Sequence, residues 1–172
     1  MTLRGTPTPS ETRATRCLLF DWGDTLMRDL KLPGPMAAWE RVEAMPYAVE
    51  VLAALRPHWT LALATNATDS DEAAIWAALH RAGLGHFLDK VYCFRRIGRR
   101  KPSAEFFAYI LNDLQADRAR VIMIGDDFET DVLGANRAGL RATWLNERSP
   151  EERVGEMYST IHDLRALPAA LT

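Results

Sequence analysis

Cys17-Leu18-Leu19-Phe20-Asp21-Trp22-Gly23-Asp24-Thr25 is an apolar run that ends abruptly in a carboxylate, a glycine, a second carboxylate and a hydroxyl. Four consecutive apolar residues fit a short strand buried on both faces. A carboxylate at the end of such a strand, followed at once by a turn, suits a phosphate-handling site. An aspartate there can attack phosphorus and form an aspartyl-phosphate, a known use of carboxylates in covalent catalysis.

Outward from this stretch, short strand-like runs alternate with helical patterns. Tyr47–Leu55 reads as a helix, Thr60–Ala64 as a strand and Asp71–Ala82 as a helix stopped at Gly83. The rhythm continues with a strand over Lys90–Phe94, a helix over Ser103–Leu114, a strand over Arg120–Ile124, a helix over Asp131–Ala138 stopped by Gly139, and a strand over Arg141–Leu145. A further strand near Tyr158–Ile161 and a last helix from Asp163 complete it. Strands of this kind separated by helices predict an α/β fold, a doubly wound, Rossmann-like parallel sheet with helices on both faces. In such sheets ligands bind beyond the carboxyl ends of the strands. That rule gathers Asp21 to Thr25, Thr65-Asn66, Lys101 and Gly125-Asp126-Asp127 into one expected site.

The chain has 172 residues, of which 48% are hydrophobic and 26% charged, enough for one domain with a sizeable core. Residues 1 to 15, rich in Thr, Pro, Ser and Arg and without periodicity, are expected to form a disordered tail, and 16 to 172 a single domain. The net charge of -2 gives no bulk electrostatic reason to expect nucleic acid or an anionic membrane as partner. Cys17 and Cys93 lie in apolar runs without a metal-ligand spacing, so both are expected to be buried free thiols. With no apolar signal segment and no stretch of about 20 apolar residues, a cytoplasmic location is the expectation.

Each strand end offers a different chemical group. Asp21 and Asp126 are hard oxygen ligands of the kind Mg²⁺ prefers, with Asp127 and Asp131 as further candidates. Asp131 either ligates directly, holds a metal-bound water, or caps the helix that begins there. The hydroxyl of Thr65 and the backbone N–H groups of its turn, Asn66 included, suit phosphoryl oxygens. Lys101, biased to an extended conformation by Pro102, can neutralise both the nucleophile and the transferred group. Five of the seven residues from Arg95 to Lys101 are basic, which makes Arg99 and Arg100 candidates for binding a polyphosphorylated or otherwise anionic substrate. The five tryptophans are expected in core or flap packing, and no histidine is given a catalytic role.

These motifs, in this order, resemble the haloacid dehalogenase superfamily, most of whose members are phosphatases with an aspartate nucleophile and Mg²⁺. Phe20-Asp21-Trp22-Gly23-Asp24-Thr25-Leu26 is similar to its first motif, Ala64-Thr65-Asn66 to the second and Lys101-Pro102 to the third. Ile124-Gly125-Asp126-Asp127-Phe128-Glu129-Thr130-Asp131 is similar to the fourth. The resemblance implies that Asp21 is the nucleophile, that Thr65 and Lys101 hold the phosphoryl group, and that Mg²⁺ is bound by Asp21, Asp126 and the carbonyl of Gly23, with Asp131 as a supporting acid. It also marks a departure, because the family's general acid/base aspartate stands two residues after the nucleophile, where this chain has Gly23. General acid–base assistance is worth about 10² to 10⁴ in rate, so a slow enzyme is expected unless another group substitutes; Asp24 is the candidate substitute. Asp21 and Thr65 are 44 positions apart and Thr65 and Lys101 are 36 apart, which leaves no room for a cap domain beyond a flap over Met27 to Met45. An uncapped site suits a large substrate, or one enclosed by a partner subunit in a homo-oligomer. The competing expectation is a regulatory protein that binds phosphate and Mg²⁺ but hydrolyses little.

Overall fold

Residues 16–171 are described by a computed structural model, so the tail expected over residues 1 to 15 lies outside the described residues. The six strands are β1 (Cys17–Phe20), β2 (Thr60–Ala64), β3 (Lys90–Tyr92), β4 (Val121–Gly125), β5 (Arg141–Leu145) and β6 (Tyr158–Ile161). They form one sheet in the order β3-β2-β1-β4-β5-β6, and every neighbouring pair is parallel. The order reverses beside β1, so β1 and β4 are neighbours, with Phe20 opposite Ile124. The two loops that leave these strands therefore diverge to opposite sides and open a crevice between Asp21 and Asp126.

The alternation along each strand divides the apolar residues between two cores. Leu18 and Phe20 of β1, Leu61 and Leu63 of β2, and Ile122 and Ile124 of β4 face one core, which α1 (Ala48–Leu55), α2 (Glu72–Arg81) and α6 (Leu167–Ala170) cover. Cys17, Leu19, Ala62, Ala64, Val121 and Met123 face the other, covered by α4 (Ala104–Leu114) and α5 (Gly134–Arg137). Burial on both faces explains why these strands read as continuous apolar runs. Asp71 caps α2 by accepting from the Ala74 N–H, and Ser103 caps α4 by accepting from the Phe106 N–H. Both cysteines are buried and free, and burial pushes the Cys17 thiol up to about 12.

Two elements depart from the sequence expectation. The strand expected over Lys90–Phe94 ends at Tyr92, because β2 offers its last partner at Ala64; the chain then turns into α3 (Phe94–Ile97), closed by Gly98 at φ 72°. The helix expected over Asp131–Ala138 begins earlier, as a π-helical segment Phe128–Leu133 that runs into α5. Its N-cap is Asp127, whose Oδ1 accepts from the Thr130 N–H at 2.9 Å, so the capping role considered for Asp131 belongs to Asp127.

The segment from Met27 to Met45 is a flap with a 3₁₀ turn at Met36–Ala38. Arg81 of α2 pins it by donating to the carbonyls of Ala37 (2.8 Å) and Trp39 (2.6 Å). Trp39 is buried beneath it and donates to the carbonyls of Pro33 and Gly34.

Candidate functional site

The loops after β1, β2 and β4, together with Lys101, the flap and Arg148 beyond β5, enclose a cavity of about 500 Å³. At its floor lies Lys101, whose side chain is 1% exposed. Its Nζ is 2.7 Å from Asp21 Oδ1 and 2.7 Å from Asp131 Oδ1. Three elements far apart in sequence thus meet at one ammonium group.

Asn66 fixes Lys101 from behind. Its Oδ1 accepts the Lys101 N–H at 2.8 Å and its Nδ2 donates to the Lys101 carbonyl at 2.9 Å. Asn66 lines the cavity, and its side-chain amide positions the lysine. Thr65 is buried at the cavity wall, with its hydroxyl accepting from the Ala67 N–H. Two glycines permit the close approaches. A Cβ at Gly125 would stand 2.1 Å from Asp131 Oδ2, and one at Gly134 would stand 2.7 Å from the Pro102 Cβ.

Carboxylate oxygens of Asp21, Asp126 and Asp131 lie within 4.8 Å of one another. Burial and the neighbouring Asp21 push the Asp126 carboxyl up to about 6, against the pull of Arg148. Burial pushes Asp131 up to about 7, with Lys101 opposing and Asp21 adding to the rise. Burial pulls the Lys101 ammonium down, but Asp131 and Asp21 outweigh it and hold it above the usual lysine range. A buried cluster with more negative than positive charge is a fitting place for a hard divalent cation, and the oxygen-only donor set matches what Mg²⁺ selects. Both oxygens of Asp131 are already engaged, Oδ1 by Lys101 and Oδ2 by the Asp127 N–H at 3.1 Å. Asp126 is less committed, and its carbonyl is steadied by Trp144 Nε1 at 2.9 Å.

Several expected residues take other places. Asp127 lines the cavity but is exposed, its Oδ1 caps the π-helical segment, and it stands outside the three-carboxylate cluster. Asp24 lines the cavity at φ 54°, but its Oδ1 accepts from the Asp29 N–H and its Oδ2 pairs with Arg148 Nη2 at 2.7 Å. Both Asp24 oxygens are thus engaged, one by the flap and one by Arg148. Arg99 and Arg100 are exposed and outside the cavity lining, because the left-handed turn at Gly98 sends them to solvent before Lys101 dips inward.

Arg148, by contrast, escaped sequence analysis although it lies just beyond the end of β5. Its Nη2 bridges Asp24 Oδ2 and Asp126 Oδ2 at 2.7 and 3.0 Å. Asp29 and Lys31 of the flap also line the cavity and form an ion pair. The strand-end rule applied to the fifth strand would have found Arg148; nothing local marks Asp29. No helix among the described residues is long and apolar enough to cross a membrane.

A parallel sheet with a lysine and three carboxylates gathered at its switch point is a doubly wound α/β architecture with a polar ligand site where such sheets bind their ligands. The model of the haloacid dehalogenase-like hydrolases matches residues 23–139, and the chain belongs to that family. A relative from Escherichia coli K12, pyrimidine 5'-nucleotidase YjjG, is 33% identical over 72% of this chain and 56% of its own length. The ribulose-1,5-bisphosphate 5-phosphatase of Halopiger xanaduensis is 33% identical over 68% of this chain and 48% of its own. The chain thus spans about half the length of the curated relatives it matches. Among solved structures, a protein of Listeria monocytogenes serotype 4b superposes with a TM-score of 0.79 and 28% identity, covering 91% of this chain and 96% of that one. The YfnB protein of Bacillus subtilis, crystallised bound to magnesium, shares the fold with a TM-score of 0.73 at 18% identity, covering 93% of this chain and all of that one.

Proposed function

We propose that the protein is a Mg²⁺-dependent phosphatase that works through an aspartyl-phosphate on Asp21. The observation that carries this reading is the placement of the Asp21 carboxylate 2.7 Å from a buried ammonium, beside Asp126 and Asp131 at the crevice of the sheet. Asp21 attacks the phosphorus of a phosphomonoester, the bond from phosphorus to the leaving oxygen breaks, and its electron pair departs with that oxygen. Lys101 neutralises Asp21 in the ground state and faces the negative charge that builds up on the phosphoryl group. Thr65 and the N–H groups of its turn bind the phosphoryl oxygens. Asp21, Asp126 and the Gly23 carbonyl would hold Mg²⁺, while Asp131 orients Lys101. When bound, the cation screens the anionic phosphate from the anionic nucleophile.

The relatives named for nucleotide and sugar-phosphate hydrolysis support a phosphorylated metabolite as substrate. Selection of an anionic or large substrate falls to Lys31 and Arg148, whose side chains are 74% and 68% exposed at the cavity. The other reading, a phosphate-binding protein with little hydrolysis, draws on Gly23, which presents no side chain where the family carries its acid.

Rapid mixing with an activated aryl phosphate separates the two. A Mg²⁺-dependent burst of leaving group, absent from Asp21→Asn, is the expected result. Release no faster than that of the Asp21→Asn variant, across aryl, acyl and nucleotide phosphates, selects the binding protein.

A further inference from the structure

The basic run from Arg95 to Lys101 is only partly accounted for by the catalytic cavity. Lys101 forms its floor, Arg96 pairs with Glu72 and Asp113, and Arg99 and Arg100 are exposed outside its lining. Arg95 takes none of these places. It lines a second cavity of about 240 Å³, between the flap and the N-terminal end of α2. The two cavities adjoin, because Asp69 lines both.

Pro35 and Ala38 of the flap and Ala74 of α2 give this side cavity an apolar wall, and Arg81 holds the wall in place through the Ala37 carbonyl. Arg95 Nε donates to the Thr68 carbonyl at 3.3 Å, which anchors the guanidinium and leaves its Nη groups without a partner among the described residues. Asp69 Oδ1 accepts from the Ser70 hydroxyl at 3.3 Å, and its Oδ2 has no partner among the described residues. A planar donor, a free acceptor and an apolar wall together suit a flat ring that carries both acceptor and donor groups, and guanidinium groups also stack on such rings. A second phosphate or carboxylate fits less well, because Asp69 and Asp71 both line the cavity against one arginine. The volume lies below the about 300–1,000 Å³ of pockets that take a whole ligand, so it suits one part of a molecule. Asp69 follows Thr65 by four residues, which puts their Cα atoms at most about 14 Å apart whatever path the loop takes. One substrate can therefore engage both cavities.

We propose that the side cavity is the subsite for the leaving group, and that Arg95 and Asp69 select a phosphomonoester whose leaving group ends in a planar, hydrogen-bonding heterocycle, as in a nucleoside monophosphate. The phosphoryl group lies at Asp21, Thr65 and Lys101, and the sugar passes Asp69. The ring rests against the flap wall, with Arg95 donating to its acceptor and Asp69 accepting from its donor. This inference rests on the phosphatase reading above.

Steady-state kinetics with uridine 5'-monophosphate and with ribose 5-phosphate, which lacks the ring, test this in the wild type, Arg95→Ala and Ala38→Leu. The second variant fills the side cavity from an exposed position on the flap. In both variants the ratio of kcat/KM for the nucleotide to that for ribose 5-phosphate is expected to fall, by about 10- to 100-fold in Arg95→Ala and chiefly through the nucleotide's KM. A general loss of folding or chemistry lowers both substrates together and leaves the ratio alone, so an unchanged ratio in either variant overturns the inference. A larger loss on fructose 1,6-bisphosphate than on the nucleotide in Arg95→Ala overturns it as well, since the subsite then reads a second anion. Failure of the phosphatase reading has a different mark: the wild type hydrolyses none of these esters faster than Asp21→Asn does, and this inference falls with it.

Discussion

Replacing Lys101 by Met should unfold the protein more readily and in a pH-dependent way. The Lys101 Nζ contacts Asp21 and Asp131 at 2.7 Å each, from a side chain 1% exposed, and a third carboxylate, Asp126, is in the same cluster. Methionine fills the stem volume but removes the charge, leaving three carboxylates crowded without their buried cation. Removing one partner of a buried ion pair costs about 3–5 kcal/mol. The sign of the pH dependence follows from the carboxyls. Asp131 and Asp126 already stand at about 7 and about 6, above the ordinary 3.8, so their ionisation works against folding as pH rises through that window. Without Lys101 to offset it, the penalty grows. The loss relative to wild type should therefore be largest at pH 8 and smaller at pH 5, and adding Mg²⁺ at pH 8 should return part of it. Urea denaturation followed by tryptophan fluorescence measures this directly. A midpoint for Lys101→Met equal to wild type at pH 8 without Mg²⁺ would refute the reasoning, as would a gap that widens toward pH 5.

Three other outcomes are expected. Arg148→Ala removes a cation from Asp126 Oδ2, and an exposed pair of this kind is worth about 0.2–1 kcal/mol, so half-saturating Mg²⁺ should fall by up to about fivefold in a titration of activity or melting temperature; an unchanged Mg²⁺ dependence would count against the metal assignment to Asp126. Gly125→Ala places a methyl 2.1 Å from Asp131 Oδ2, and the forced shift should cost about 1–3 kcal/mol in stability and lower activity with it, both read from one preparation. Asn66→Ala loses two hydrogen bonds to the Lys101 backbone and should destabilise by about 1–3 kcal/mol while lowering kcat more than it changes KM.

Much of the fold was legible because two-sided burial leaves an unambiguous mark on a strand. Cys17–Phe20 has the bounds that its apolar run predicts, since a strand covered on both faces can carry hydrophobic residues at every position. The end of β3 was misjudged for the opposite reason. Cys93 and Phe94 are as apolar as their neighbours, and only the length of β2 decides where pairing stops. The start of the helix after β4 was misjudged because Asp127 and Asp131 are equally good caps by residue type, and which one turns to the helix N-terminus depends on Lys101 drawing Asp131 inward.

The site divides in the same way. By itself the sequence determined the chemistry on offer: an aspartate after the first strand, a threonine after the second, a lysine before a proline and an acidic turn after the fourth, with Gly23 as the gap. These are local signals, carried by residue type and by position relative to a strand end. Only the tertiary structure decided which groups are free to act. It spent Asn66 on Lys101 and Asp24 on Arg148, sent Arg99 and Arg100 to solvent, and set Arg95 at the side cavity beside the flap. Those outcomes depend on hydrogen bonds between residues tens of positions apart, and on a flap pinned by Arg81, for which no short stretch of sequence carries a sign.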